Sequence, residues 1–127
     1  MSNERLKLGQ QGERGASQFL ESQGYRILQS NYRTKFAELD IIAQEGPIVC
    51  FVEVRTKTSG QFGHPFESIS GYKIRKLCLA ALSYIQANRL DDSIFRFDVV
   101  AVLPGETPDN FRFELLKNAF ELDESLI

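Results

Sequence analysis

The chain has few of the residues on which several common chemistries depend. Its 127 residues include one histidine, His64, which leaves little room for zinc chemistry or a Ser-His-Asp hydrolase. Its two cysteines, Cys50 and Cys78, lie within apolar runs and read as reduced packing residues of a cytoplasmic protein. No segment approaches the roughly 20 consecutive apolar residues of a membrane-spanning helix. The opening stretch MSNERLKLGQQGERG is polar and lacks the apolar centre of a signal peptide. There is no P-loop, no dinucleotide-binding glycine fingerprint, no internal repeat and no low-complexity linker. The formal net charge of -2 argues against a protein that holds nucleic acid by bulk electrostatics. A local basic surface is still compatible with that total, because placement decides the field.

What is present is an ordinary globular composition, 43% hydrophobic and 25% charged. The length suits a single domain over residues 1–127. A chain of this size can bury about two thirds of its unfolded surface, so no disulfide or metal staple is required.

Residues 4–23 read as a helix closed by Gly24, with Ala16, Phe19 and Leu20 forming an apolar stripe. Gly9, Gly12 and Gly15 within it suggest close approach of a neighbouring backbone or a ligand. Strands are expected over 25–33, 36–44 and 48–57, the last two joined at Glu45-Gly46-Pro47. A Gly-, Pro- and Ser-rich loop covers 59–68. Ser70 is the expected N-cap of a long helix ending near Arg89, with Ile74, Leu77, Cys78, Ala81, Leu82 and Ile85 on its apolar side. Residues 95–104 form another buried strand, in which Asp98 calls for an arginine partner. The tail over 111–122 reads as a short strand followed by a turn or helical stub. The order α-β-β-β-α-β predicts an α/β fold with an antiparallel hairpin inside a mixed sheet flanked by helices.

The hairpin AELDIIAQEGPIVCFVEVRTK carries acids where its core should be. Side chains alternate faces along a strand, so Glu38, Asp40 and Ile42 share one face, and Phe51, Glu53, Arg55 and Lys57 share one face. A two-residue loop at Gly46-Pro47 sets Asp40 opposite Glu53 and Glu38 opposite Arg55; a four-residue loop keeps the faces together, and a three-residue loop separates them. Neighbouring carboxylates repel, and burial raises their pKa values unless something compensates. A divalent cation such as Mg²⁺ is the usual compensator, binding through one or two carboxylates while keeping waters that can act on a phosphate. Glu13 lies on the apolar side of the first helix and becomes a third ligand if that helix packs on the acidic face. Two readings stand on the residues alone: a metal site, or a solvated face with Glu38 paired to Arg55.

Glu13, Asp40 and Glu53-Val54-Arg55 together resemble the PD-(D/E)-x-K nuclease superfamily. More specifically, GQQGERGASQFLESQGYRILQSNYR, AELDIIAQ, FVEVRTKTSGQFGHPFESIS, YKIRKL and RFDVVAV resemble the YraN family of small, largely uncharacterised bacterial proteins, itself similar to archaeal Holliday junction resolvases. These segments run from Gly9 to Val102. The resemblance implies a restriction-endonuclease-like core and a Mg²⁺- or Mn²⁺-dependent nuclease acting on DNA, including branched or structured DNA. It implies Asp40, Glu53 and the Val54 backbone carbonyl as metal ligands, assisted by Glu13. A homodimer would follow from a resolvase-like need for two active sites.

Arg55 stands where the pattern has lysine. It keeps the charge and can grip phosphate, but it does not release its proton and so cannot serve as a general base. Lys57, on the same face, and Lys73, early on the second helix, are candidates to replace that lysine. Arg33, Lys35, Lys57, Lys73 and Lys76 are the candidate nucleic-acid contacts. His64 reads as an incidental loop residue. Two other functions compete: a nucleic-acid-binding module of the same fold with weak or lost catalysis, and a protein-interaction role, which the pI of about 5.4 favours.

Overall fold

The structure is a computed structural model that describes residues 2–57, 63–107, 110–122 and 125, with side chains described from Gln11 onward. Helix α1 (Ser2–Ser22) is followed by strands β1 (Arg26–Arg33), β2 (Glu38–Glu45) and β3 (Ile48–Thr56). A 3₁₀ turn (Pro65–Ser68) leads into helix α2 (Gly71–Ala87), then strands β4 (Ile94–Pro104) and β5 (Phe111–Phe120). The five strands form one sheet in the order β1-β2-β3-β4-β5. All neighbours are antiparallel except β3 and β4, which run parallel through the α2 crossover. This is the mixed sheet expected, with the arrangement of a restriction-endonuclease-like core. Part of the loop expected over 59–68 falls outside the described residues, as does the side of α1 at Gly9.

The local signals act as their chemistry dictates. Gly24 closes α1, where the Tyr25 N–H donates back to the Leu20 carbonyl at 3.0 Å. The Ser70 hydroxyl caps α2 by accepting from the Lys73 N–H at 3.1 Å. Glu45 pairs with Ile48, so the β2–β3 turn has two residues. Both cysteines are buried. Among the described residues no helix is long and apolar enough to cross a membrane.

The sheet separates two cores. On one face α1 buries Ala16 and Leu20 against Ile41, Ala43, Cys50, Val52 and Val100. On the other, α2 lays Leu77, Cys78, Ala81, Tyr84 and Ile85 over Leu39, Ile42, Phe51 and Phe97. Aromatic rings continue this second core: Phe97 stacks on Phe120 at 4.8 Å and lies 5.7 Å from Phe51. The expected Leu82 is only half-buried, and Tyr84 takes its place inside.

The tail differs from its expected turn or stub. It is a ten-residue strand to Phe120, with a register shift against β4 between Phe97 and Val99. The Asn118 N–H in that irregular stretch donates to the Asp98 carboxylate at 2.9 Å, and Asn118 adopts φ 53°. Asp98 is fully buried and held on every side. Arg96 donates to it twice, at 2.7 and 2.9 Å, and the Tyr25 hydroxyl donates at 2.8 Å. Arg96 also reaches Glu45 at 2.9 Å, and Lys117 meets Glu45 at 2.6 Å. The arginine partner expected for Asp98 is thus its neighbour on the same strand face. Removing one member strands a buried charge, so Asp98→Ala is expected to cost about 3–5 kcal/mol in urea unfolding.

Gly12 and Gly15 of α1 admit side chains rather than the backbone or ligand anticipated. A Cβ on Gly12 would lie 3.2 Å from Thr56 Oγ1, and one on Gly15 would lie 2.5 Å from the Phe113 ring. That ring stacks on Phe19 with centroids 5.5 Å apart. Alanine would favour the helix by up to about 1 kcal/mol. Gly15→Ala should nevertheless destabilise the protein by about 1–3 kcal/mol, through overpacking against Phe113. Urea denaturation checks the sign.

Candidate functional site

The strand directions gather the predicted residues at one end of the sheet. The C-terminal end of β1, the start of β2 and the C-terminal ends of β3 and β4 all lie there. The N-terminal half of α1 joins them, since Gly12 packs on Thr56 and Val102. Arg33, Lys35, Asp40, Glu53, Arg55 and Lys57 therefore share this end, and the 3₁₀ turn and the first turn of α2 follow.

The two-residue turn carries the β2–β3 ladder as far as Ile41 opposite Val52. One step further along both strands stand Asp40 and Glu53, whose carboxyls lie close enough to perturb one another. Asp40 Oδ2 also accepts from the Val54 N–H at 2.8 Å, a side chain taking a backbone donor of β3. Glu53 is buried, 7% exposed, and its Oε2 has no hydrogen-bond partner. Leu39, Phe51, Leu77, Phe97 and Phe120 wall the pair on the α2 side. Burial in that apolar wall, together with the charge of Asp40, pushes the Glu53 carboxyl up to about 8. Asp40 is also raised by burial, against the opposing pull of the Val54 N–H, Glu53 and Lys73.

Glu13 approaches from elsewhere. Its helix packs on the sheet face of Ile41 and Val52 and α2 on the face of Leu39 and Phe51, and Asp40 lines a cavity on each side. Glu13 meets Asp40 across a cleft of about 400 Å³, lined also by Arg14, Ser17, Ser30, Asn31 and Ile41. Burial and the charges of Asp40 and Glu38 raise its carboxyl. Asn31, at φ 55° on β1, links the two sides. With its amide nitrogen turned to the acids, it donates to Glu38 at 2.9 Å and to Glu13 at 3.1 Å. Sequence reading missed Asn31; its one signal was that asparagine tolerates left-handed backbone better than most residues.

The cations divide into groups. Glu38 pairs with Arg33 at 3.3 Å rather than with Arg55. Arg55 turns to the 3₁₀ turn, donating to the Ser68 hydroxyl at 3.2 Å and the Ser68 carbonyl at 2.7 Å. Ser68, also missed from sequence, in turn donates to the Pro65 carbonyl at 2.6 Å. Lys35 lies over Phe36 and Lys76 over Tyr72, at 5.2 and 5.4 Å from the ring centroids. Lys57 ends β3 with its N–H on the Val102 carbonyl. His64 is not incidental. Its Nδ1 accepts from the Phe66 N–H at 3.2 Å, so Nε2 carries the hydrogen and donates to Glu114 at 2.6 Å. The imidazole ties the 3₁₀ turn to β5.

The donors at Asp40 and Glu53 are hard oxygens, one of them buried without a partner, and they suit a divalent cation of the Mg²⁺ class. They form a pair: among the described residues no group of three or more His, Cys, Asp or Glu is gathered so as to hold a metal ion.

Residues 12–102 match the family model described as "Uncharacterised protein family UPF0102". A UPF0102 protein of Syntrophus aciditrophicus is 44% identical over 117 residues, covering 92% of this chain and 91% of the relative. One of Desulforapulum autotrophicum is 42% identical over 123 residues, covering 97% and 100%. One of Chlorobaculum parvum is 44% identical over 119 residues, covering 89% and 91%. Fold and site define a small α/β protein with a restriction-endonuclease-like core and a buried acidic pair. The chain belongs to the UPF0102 family.

The acidic pair makes metal-free stability depend on pH in a definite direction. Glu53 rises from an ordinary 4.5 to about 8 on folding. A raised pKa stabilises the fold fully below the unfolded value and loses that contribution as pH rises through the folded one. With chelator present, the melting temperature should fall from about pH 5 to about pH 8. Glu53→Gln, which mimics the protonated form, should flatten this slope; an unchanged slope would place the titrating group elsewhere.

Proposed function

We propose that the protein is a Mg²⁺- or Mn²⁺-dependent nuclease that hydrolyses phosphodiester bonds in DNA. The observation that carries this reading is the Asp40–Glu53 pair, buried together with an unpartnered oxygen and, among the described residues, no arginine or lysine in ion-pair contact. A structural acid is normally satisfied, as Asp98 is, so an unsatisfied pair points to a ligand. Asp40 and Glu53 hold the metal, with the Val54 carbonyl as a further ligand and Glu13 assisting across the cleft. The bound ion would polarise the phosphate and lower the pKa of a water. In the reaction, the water oxygen bonds to phosphorus as the bond to the leaving sugar oxygen breaks. Of the two water protons, one ends on that leaving oxygen and one on the phosphate monoester.

Positive charge for the phosphate comes from Lys73 on α2, with Arg55 acting on the pair from its place on Ser68. Arg33, Lys35, Lys57 and Lys76, at the same end of the sheet, track the nucleic-acid backbone. Branched or structured DNA is the substrate favoured by the resemblance to junction resolvases, and two such sites in a homodimer would act on two strands. The setting is cytoplasmic, in keeping with two reduced cysteines.

A second reading has its own support. The metal-binding acids come as two rather than three, and Arg55 is engaged by Ser68. Both features suit a nucleic-acid-binding module without turnover. Calorimetric titration with Mn²⁺ and cleavage assays on linear, flapped and four-way DNA separate the two. The nuclease reading expects Mn²⁺ binding that Asp40→Ala abolishes, with cleavage falling by at least about 100-fold. DNA binding without cleavage under Mg²⁺ and Mn²⁺ would leave the module; absence of Mn²⁺ binding by the wild type would sink the metal site.

A further inference from the structure

We infer that Lys73, in the first turn of α2, is the cation that faces the Asp40–Glu53 pair, and that Arg55 is a positioning residue which fixes the 3₁₀ turn ahead of that helix. The inference rests on the nuclease reading for its chemical consequence, which is that Lys73 supplies the role of the lysine replaced in Glu53-Val54-Arg55. The juxtaposition itself rests on geometry.

Three observations lead to it. First, Arg55 is occupied. Its Nε and Nη2 hold the Ser68 hydroxyl and carbonyl, and Ser68 holds Pro65, so the guanidinium is spent on the segment that delivers Ser70 to its capping position. Second, α2 is seated on the acids. Leu77 shares the small cavity lined by Asp40 and Glu53. Lys73 lies four residues before Leu77, on the same side of the helix and one turn nearer its start. The helix therefore aims Lys73 at the open end of the pair, while Arg75 is exposed. Third, Lys73 is half-buried and makes no ion pair among the described residues. In support, its charge lowers both carboxyls, and for Glu53 it acts ahead of Arg55.

A lysine at the start of a helix opposes the helix dipole, so its placement there is a mild cost. Facing two buried acids offsets that cost. An ammonium on a flexible stem can also shift towards a phosphate when a metal takes over neutralisation of the acids, which a guanidinium fixed by Ser68 cannot do.

A melting-temperature cycle in chelator at about pH 8 tests the juxtaposition without metal or activity. Lys73→Met should lower the melting temperature by about 3 °C in the wild type and by less than about 1 °C in an Asp40→Asn/Glu53→Gln background. Arg55→Met should lower it equally in both, because its partner is Ser68. Equal effects of Lys73→Met in the two backgrounds would overturn the inference. With Mn²⁺ and DNA, Lys73→Met should lose at least about 100-fold in cleavage while Mn²⁺ binding holds or tightens. Arg55→Met should lose less than about 10-fold. The reverse ranking would also overturn it. A wild type that binds no Mn²⁺ sinks the nuclease reading instead, and the melting cycle then still decides for or against Lys73.

Discussion

A two-residue turn fixes the register of a hairpin, and that register decides which side chains meet. Gly46-Pro47 sets Glu45 against Ile48, and counting back along both strands brings Asp40 to Glu53. A slip of one residue would send one acid to the α1 face and leave the other alone under α2. The alternating apolar residues hold the register: Ile41, Ala43, Cys50 and Val52 belong to one core, and Ile42 and Phe51 to the other. The hydrophobic pattern that builds the fold therefore also forces two like charges together.

The sheet treats its buried acids in two opposite ways. Asp98 receives Arg96, Tyr25 and the Asn118 N–H, and its surroundings extend through Glu45 to Lys117. Glu53 follows Val52, the register partner of Asp98 on the neighbouring strand, and keeps an oxygen without a partner. Both lie in apolar surroundings, so the difference is one of supply and not of depth. Where the protein needs only stability, it provides a full set of donors. Around Asp40 and Glu53 it provides apolar and aromatic walls, the Val54 N–H and, among the described residues, no cation within ion-pair distance.

Much of this was legible in the residues. The close of α1 at Gly24, the Ser70 cap and the need of Asp98 for an arginine all follow from local chemistry, whereas the length of the Gly46-Pro47 turn was fixed only by the observed pairing. The face covered by each helix was not legible, because both helices carry an apolar stripe and either could have covered the acids. The tail was misleading for a related reason. Leu115, Leu116, Lys117 and Ala119 suit a helix by propensity, yet Phe120 stacks on Phe97 and Lys117 reaches Glu45, and these distant contacts make a strand. Asn31 and Ser68 act through partners on other elements, so nothing beside them in the chain marks their roles.

The outermost strand carries its own constraint on assembly. β1 is exposed along most of its length, begins and ends with arginine, shifts register between Ile27 and Gln29, and turns left-handed at Asn31. Such an irregular, charged border cannot zip onto an identical border of another molecule, since its free amide and carbonyl groups do not form an even row. Self-association by extending the sheet is thereby discouraged on this side.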